Sequence, residues 1–489
     1  MATGARRLGG VGRAPSLRRV TTISEHIDAV WDDDIVPTLT RYIAIPNVSA
    51  SYDADWEAHG FMEEAVQLVL GWLAAREVPG LTVDVQRIPG RSPLIVAEVP
   101  ATRPDLAERT VLLYGHLDKQ PEMTGWRDGL GPWTPVLEGT RLYGRGGADD
   151  GYAAFASLLA VEAAHREGWD HARLLVLIEA SEESGSPDLP AHLEALGDRL
   201  GTPELVVCLD SAAADDEHLW VTTSLRGLVG GVLTVEVLEA GAHSGVASGV
   251  VPSSFRIIRE LLDRVEDART GEILVPELRT EIPADRRAEA EVTAAALPEP
   301  AASEYPWAGG TQPMVDDPVE QLLARSWRPT LSYVGADGFP PNSRAGNVLR
   351  PSTSLGLSFR LPPTVDPHTA RAAVTRVLTA DPPYGANVTF DANHVGPGWN
   401  APSFAPWLRA ALDAASTAAF GNPASTLGEG GSIPFMGMLG EMFPDAQFVI
   451  TGALLPDSNA HGPNEYLPVD VAKHVTECVA RILAAHAAS

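Results

Sequence analysis

The stretch Val111–Pro121 reads VLLYGHLDKQP. An apolar run of β character ends by presenting His116 and Asp118 with one residue between them. A strand that delivers an imidazole and a carboxylate at its C-terminal end suits a metal ligand followed by the group that orients it. Alone, His-x-Asp says little, because many buried strands end in a polar pair. Its weight comes from repetition further along the chain. LYGRGGADDGYAAF sets Asp149 and Asp150 behind a glycine-rich turn, at the start of an apolar, helix-like run. RLLVLIEASEESGS ends a strand-like run on Glu182 and Glu183, and ELVVCLD ends on Asp210. SNAHGPNEYLP places His461 in a turn rich in Gly, Pro and Asn. Adjacent carboxylates are ordinarily solvated surface. Here both pairs abut apolar segments, where an unpaired carboxylate carries a large desolvation cost that a divalent cation removes. Imidazoles and carboxylates gathered at strand ends are what an open α/β sheet needs to hold such a cation in its crevice.

Composition narrows the class. The 489 residues, 45% of them hydrophobic, suffice for two or more domains with cores of their own. No apolar run approaches the ~20 residues of a membrane-spanning helix. The net charge of −28, from 36 basic and 64 acidic residues, argues against nucleic acid or an anionic membrane as partner. Cys208 and Cys478 are the only cysteines, which favours a reducing compartment, so a cytoplasmic location is expected. Both lie in apolar stretches and are expected to pack in the core. The first twenty residues hold five arginines and no acid, lack the apolar centre of a secretory signal, and read as a disordered basic leader (1–20).

Organisation follows from where the candidate ligands sit. Those from His116 to Asp210 lie in one block, and His461 lies far downstream. The intervening residues 221–395 therefore read as an inserted domain between two parts of a catalytic one, 21–220 and 396–489. The insert opens with strand-like LVGGVLTVEVLEAGAHSG and a helix signal in VPSSFRIIRELLDRVED. It closes with LGLSFRLPP, the helix PHTARAAVTRVL and a strand in NVTFDAN. That pattern predicts a small sheet with helices on one face. The Ala-, Pro- and Glu-rich segment around 286–310 predicts a helix running into a long surface loop, and a helix near Trp407–Ser416 covers the catalytic sheet. No internal repeats are visible.

The motifs GHLDKQP, LYGRGGADDG, EASEESGS, LDS, GAHSGV, EGGSIP and NAHGPNE occur in this order, in a chain that resembles one family from about Ile23 to its C-terminus. That family is the dinuclear zinc aminoacylase/carboxypeptidase superfamily, and within it the carnosinase-like dipeptidases. The resemblance implies an α/β fold: a catalytic domain with a mixed, helix-covered sheet, and a smaller inserted α+β domain that acts as lid and dimerises. It implies two zinc ions, or manganese or cobalt, held by His116, Asp149, Glu183, Asp210 and His461. Asp149 would bridge, His116 and Asp210 would each belong to one shell or the other, and Glu183 and His461 would fall one on each ion. Asp118 would orient His116. Glu182 would be the general base, activating a metal-bridging water to hydrolyse dipeptides or short peptides with a free C-terminal carboxylate.

In the insert, the resemblance implies that His243 of GAHSGV reaches a neighbouring subunit's active site in a homodimer. Arg360 of SFRLPP would bind the substrate carboxylate, and Asn347 and His394 would lie near substrate. Glu429, Gly431 and Ser432 of EGGSIP would form a loop facing it. Three positions depart from many relatives: Gly428 in place of arginine, Gly151-Tyr152 in place of lysine after the double aspartate, and Lys119 in place of valine. None is a metal-ligand position, so they bear on substrate choice. Two other functions stay open. One is an N-acyl amino acid deacylase of the same superfamily; Gln-Pro after HxDK and the form GRGGADDG lean away from it. The other is a non-catalytic peptide-binding scaffold, against which the presence of Glu182 and all five candidate ligands speaks. A phosphate-binding loop fails at GRGGADDG, because no Lys-Ser/Thr follows the glycines.

Overall fold

The computed structural model describes residues 22–431 and 433–489. The strands of its two main sheets are β1 (Thr82–Gln86), β2 (Leu94–Val99), β3 (Thr110–His116), β4 (Arg173–Glu179), β5 (Pro203–Cys208), β6 (Trp220–Leu225), β7 (Gly227–Glu236), β8 (Thr330–Asp337), β9 (Ser352–Leu361), β10 (Asn387–Gly396), β11 (Trp399–Asn400), β12 (Ser425–Glu429) and β13 (Gln447–Ile450). A nine-stranded sheet runs β1-β2-β4-β3-β5-β13-β6-β11, with β12 beside β6. Its centre, β4, β3, β5 and β13, is parallel, while β2 runs antiparallel to β4, so the sheet is mixed.

Every residue of β3 is buried. Successive side chains point to opposite faces, so Val111 and Leu113 enter one core while Leu112 and Tyr114 enter the other. A strand covered on both faces needs this unbroken apolar run. The first core is closed by the helices Ala153–Glu167 and Val469–Ala488, the second by Leu189–Leu196 and Pro434–Met442. Ala153–Glu167 is alanine-rich, a strong helix composition, and stops where Gly168 takes the left-handed conformation (φ 70°). Pro406–Ala419 is the helix expected near Trp407–Ser416. Cys208 and Cys478 are buried and free. Among the described residues no helix is long and apolar enough to cross a membrane. The expected basic leader, residues 1–20, lies outside the described residues.

The second sheet, β8-β9-β7-β10, is antiparallel throughout. The helices Ser254–Leu262 and Pro367–Thr379 cover one face around a core that includes Val229, Leu233, Ile257, Phe359 and Val374. On β9 the alternation sends Leu357, Phe359 and Leu361 into that core and Arg360 to the opposite face. Strand β8 was not anticipated. It is an edge strand whose residues beyond Leu331 are exposed, and its polar–apolar alternation lasts only from Thr330 to Tyr333.

The crossing between the sheets falls at Arg226, since β6 runs in the large sheet past the boundary drawn at residue 220. Two helices inside 221–395, Ala284–Ala296 and Pro318–Ser326, lie against β12 of the large sheet. Arg286 fastens the first of them: Nε donates to Asn400 Oδ1 (2.9 Å) and Nη2 to the Ala401 carbonyl (2.6 Å).

Candidate metal centre

The site gathers beside the C-terminal ends of the parallel strands, from the buried His116, Asp149, Glu183 and Asp210 and from His461, which is exposed on a loop. His116 ends β3. Its Nδ1 lies 3.1 Å from the Asp118 carbonyl and 3.5 Å from Asp118 Oδ1. That pairing turns Nε2 toward Asp149 Oδ1 (3.2 Å) and Asp210 Oδ2 (3.7 Å). An Nδ1 occupied by an oxygen acceptor presents Nε2 as the donor for a metal. Asp118 does more than orient His116. Its carboxylate accepts the backbone N–H groups of Glu182 (3.1 Å) and Glu183 (3.0 Å), so the same residue fixes the turn after β4.

Asp149 stands on the glycine-rich turn and is shared. Its Oδ1 faces His116, and its Oδ2 lies 2.9 Å from His461 Nε2. Glu183 Oε2 lies 3.2 Å from the same nitrogen. The donor atoms of His116, Asp149 and Asp210 lie within 4.8 Å of one another, and so do those of Asp149, Glu183 and His461. Two triads therefore share Asp149. The expected split of Glu183 and His461 between two ions is corrected here, since both belong to the same triad.

These side chains fit a pair of divalent cations. Burial raises the Asp210 carboxyl to about 7; His116 offsets this in part, and Asp149 and Glu183 add to it. Burial, and then Asp210, pushes Glu182 well above the carboxylate range; burial, and then Asp149, raises Glu183. Burial alone would depress His116, but its bonds to Asp118 and Asp149 outweigh that and raise it well above the usual histidine range. Crowded carboxylates that draw protons are short of positive charge, and mixed nitrogen and oxygen donors suit borderline ions such as zinc. Beside them the half-buried Glu182 carboxylate accepts no hydrogen bond from the described residues, which leaves both oxygens for substrate or water.

Other residues that hold the site together were not on the candidate list. Gln120 donates to Glu183 through its backbone N–H (3.1 Å) and through Nε2 (2.8 Å). Arg145 and Glu465 form a buried ion pair, and Glu465 Oε1 also accepts the Gly146 N–H (2.7 Å). This clamp joins the turn carrying Asp149 to the segment following His461. All three residues lie inside motifs quoted above, which was the available signal. The departures are also built in. Lys119 is buried and donates from Nζ to the carbonyls of Tyr42 and Ile45 (both 2.8 Å), closing the C-terminal end of the helix Val36–Ile43. A Cβ on Gly151 would lie 2.2 Å from the Tyr42 ring, and one on Gly428 would lie 2.7 Å from Ser326 Cβ. Neither position has room for a long cation.

The remaining candidates lie apart from the triads. His243 is exposed, and its Nδ1 accepts the Gly245 N–H (3.1 Å). Asn347 is its neighbour, since the Asn347 carbonyl accepts the Ser244 N–H (2.9 Å). His394 is exposed on β10. Arg360 is half-buried on the open face of β9. Glu429 is nearer the site: it accepts from Ser211 Oγ (2.5 Å), Thr222 Oγ1 (2.6 Å) and the Ala212 N–H (3.3 Å), beside Asp210. The Gly431 carbonyl accepts the Arg226 N–H (3.1 Å). Ser432 lies outside the described residues.

A helix-covered mixed sheet with two imidazole–carboxylate triads at its strand ends defines a metal-dependent hydrolase. The chain belongs to the peptidase family M20/M25/M40, whose family model matches residues 112–485. It is similar to the Cys-Gly metallodipeptidase dug1 of Schizosaccharomyces pombe, 26% identical over 464 residues, covering 90% of this chain and 92% of that protein. Human Beta-Ala-His dipeptidase is 28% identical over 368 residues, covering 73% of this chain and 70% of that one. Among solved structures, human carnosine dipeptidase 1 superposes with a TM-score of 0.74 at 23% identity, over 96% of this chain and 98% of that one. An M20 family metallo-carboxypeptidase from Sulfolobus solfataricus does so with 0.76 at 18% identity, over 94% and 100%. At these identities the structural likeness establishes the fold.

Proposed function

We propose that this chain is a dinuclear zinc dipeptidase that hydrolyses dipeptides or short peptides with a free C-terminal carboxylate. The observation that carries the reading is the pair of triads sharing Asp149, beside a Glu182 carboxylate that accepts no hydrogen bond among the described residues. The substrate class draws support from the similar Cys-Gly and Beta-Ala-His dipeptidases. His116, Asp149 and Asp210 hold one ion, and Asp149, Glu183 and His461 the other. When bound, such a metal pair polarises the scissile carbonyl and acidifies the attacking water.

The chain's own groups do the rest. Asp118 holds His116 and both glutamates in register. Glu182, whose carboxylate is left open for water or substrate, accepts the proton of water and passes it to the leaving amine. The insert, residues 221–395, is a lid and dimerising element. Through it His243 reaches the active site of the partner subunit to bind the developing oxyanion, while Arg360 anchors the substrate carboxylate. Asn347, His394, Glu429, Gly431 and Ser432 line the substrate path. The enzyme works as a cytoplasmic homodimer, without nucleic-acid or membrane partners.

Assaying zinc-loaded protein against a dipeptide panel and an N-acyl amino acid panel tests this directly. The expected result is hydrolysis of dipeptides, abolished by chelation and restored by zinc, with about two ions per chain. Preference for the N-acyl panel would make the enzyme a deacylase. Clearly fewer than two ions after loading would sink the dinuclear reading.

A further inference from the structure

Arg226 joins the last strand residue of β6 to the first of β7, where the chain crosses from the large sheet to the lid sheet. It is 9% exposed. Its Nε donates to the Gly430 carbonyl (3.3 Å), and its Nη1 to Thr330 Oγ1 (3.1 Å) and the Arg328 carbonyl (3.5 Å). All three acceptors are neutral. Among the described residues no carboxylate lies within ion-pair distance of it, and the charged groups it feels most are Arg360 and Arg325. Burial first, and then these two cations, push its guanidinium down to about 10, which leaves it charged at neutral pH. Arg325 is neutralised by Glu304, at 2.8 and 3.1 Å. Arg360 is not, since none of its nitrogens has an acceptor among the described residues; burial alone lowers it.

The register brings the two unneutralised arginines together. Arg360 pairs with Thr330 across β9 and β8 and with Leu228 across β9 and β7. Arg226 bonds the hydroxyl of that same Thr330. Two residues before Leu228, it falls on the same face as Arg360, opposite the core of the lid sheet. Gly430 lies against Arg226 so closely that a Cβ there would come within 3.0 Å of Nη2. The neighbouring Glu429 is bonded to Ser211, next to the candidate ligand Asp210. The arginine pair is thus tied to the metal centre by one short loop. A buried cation without a counter-ion is costly, and two planar guanidinium groups match a carboxylate with several donors at once.

We propose that Arg226 is a second carboxylate-binding residue, forming with Arg360 a two-guanidinium seat for the free carboxylate of the substrate. The identity of the molecule bearing that carboxylate rests on the dipeptidase reading; the seat itself does not.

The test compares Ala-Leu with Ala-leucinamide in zinc-loaded wild type, Arg226→Met, Arg226→Lys and Arg360→Ala. In wild type kcat/KM should favour the free acid. Arg226→Met should cut the acid-to-amide ratio by about tenfold or more, through KM with kcat little changed, and Arg226→Lys by a smaller factor, because lysine keeps the charge but loses the fork. Adding Arg360→Ala should cost less than the product of the single effects. An equal fall on acid and amide, or none, overturns the proposal and leaves Arg226 as a support for the Gly430 loop. If Arg226→Met fails to fold, Arg226→Lys decides by the same ratio. If wild type cleaves neither substrate, the dipeptidase reading fails, and equilibrium binding of N-acetyl-leucine against N-acetyl-leucinamide judges the seat. A preference for the acid that Arg226→Lys weakens supports it. No preference, or one left intact, overturns it.

Discussion

His116 is wholly buried at the end of β3, its two ring nitrogens directed at Asp118 and at the Asp149–Asp210 pair, whereas His243 stands exposed with one bond to the Gly245 N–H. The same contrast holds for the regions around them. At the strand ends of the large sheet, Asp118, Asp149, Glu183 and Asp210 are buried and answer one another within a single chain. On the insert, Asn347 and His394 are exposed and Arg360 has no acceptor among the described residues. Buried polar groups must be satisfied where they stand, so the first set is already arranged for its task. Exposed or unpaired groups have no such obligation.

Asp149 should break the contrast most severely, because it belongs to both triads. Asp149→Ala is expected to lose both ions and to reduce turnover to background, read by metal analysis and kinetics together. Retention of two ions per chain would show that the triads do not depend on a shared carboxylate. The adjacent glutamates come next. Glu182→Gln should keep both ions and lose roughly 10² to 10⁴ in turnover, the usual scale of general acid–base catalysis. Glu183→Gln should weaken metal binding instead, since its carboxylate faces His461 and is held by Gln120. The reverse pattern would exchange their roles.

His243 tests the other half of the comparison. If the exposed ring serves a partner's site, His243→Asn should cost about 10² in kcat, as for loss of one oxyanion donor. Asparagine still offers a side-chain acceptor to the Gly245 N–H, so the local cap survives the change. Full activity in that variant, or in a monomer identified by light scattering, would remove the shared-site reading.

The same contrast governs what could be read from the sequence. Continuous apolar runs announced β3, β4 and β5, and the polar residues ending them were legible because a buried strand that stops on His or Asp needs a reason. How these residues divide was not legible. That Glu183 sits with His461, that Asp118 grips the backbone of Glu182 and Glu183, and that Arg145 clamps Glu465 are all contacts across long stretches of chain, which no local pattern encodes. Strand β8 escaped because its alternation stops after Tyr333 and the exposed edge needs no more of it. The helix Ala284–Ala296 was visible as a helix, but not as one that packs outside its own insert: only Arg286 and Thr293 are buried along it, and both bond residues of the large-sheet region.

Arg286 therefore tests where the boundary between the two regions runs, with the smallest expected effect. Its guanidinium is buried between Asn400, the Ala401 carbonyl and Glu289, and Glu289 in turn accepts from Thr223 of β6. Arg286→Met keeps the aliphatic stem but removes every donor. The half-exposed Glu289 can turn to water and retains Thr223, so the main loss is the buried Ala401 carbonyl, worth about 2 kcal/mol when left unsatisfied. The expected outcome is an unfolding free energy lower by that amount for the large-sheet region, read as a lower urea midpoint at unchanged m, with metal content and kcat unchanged because no ligand or substrate group is touched. An unchanged midpoint together with altered KM would mean that the helix moves with the lid, and that the boundary lies at the ends of the insert.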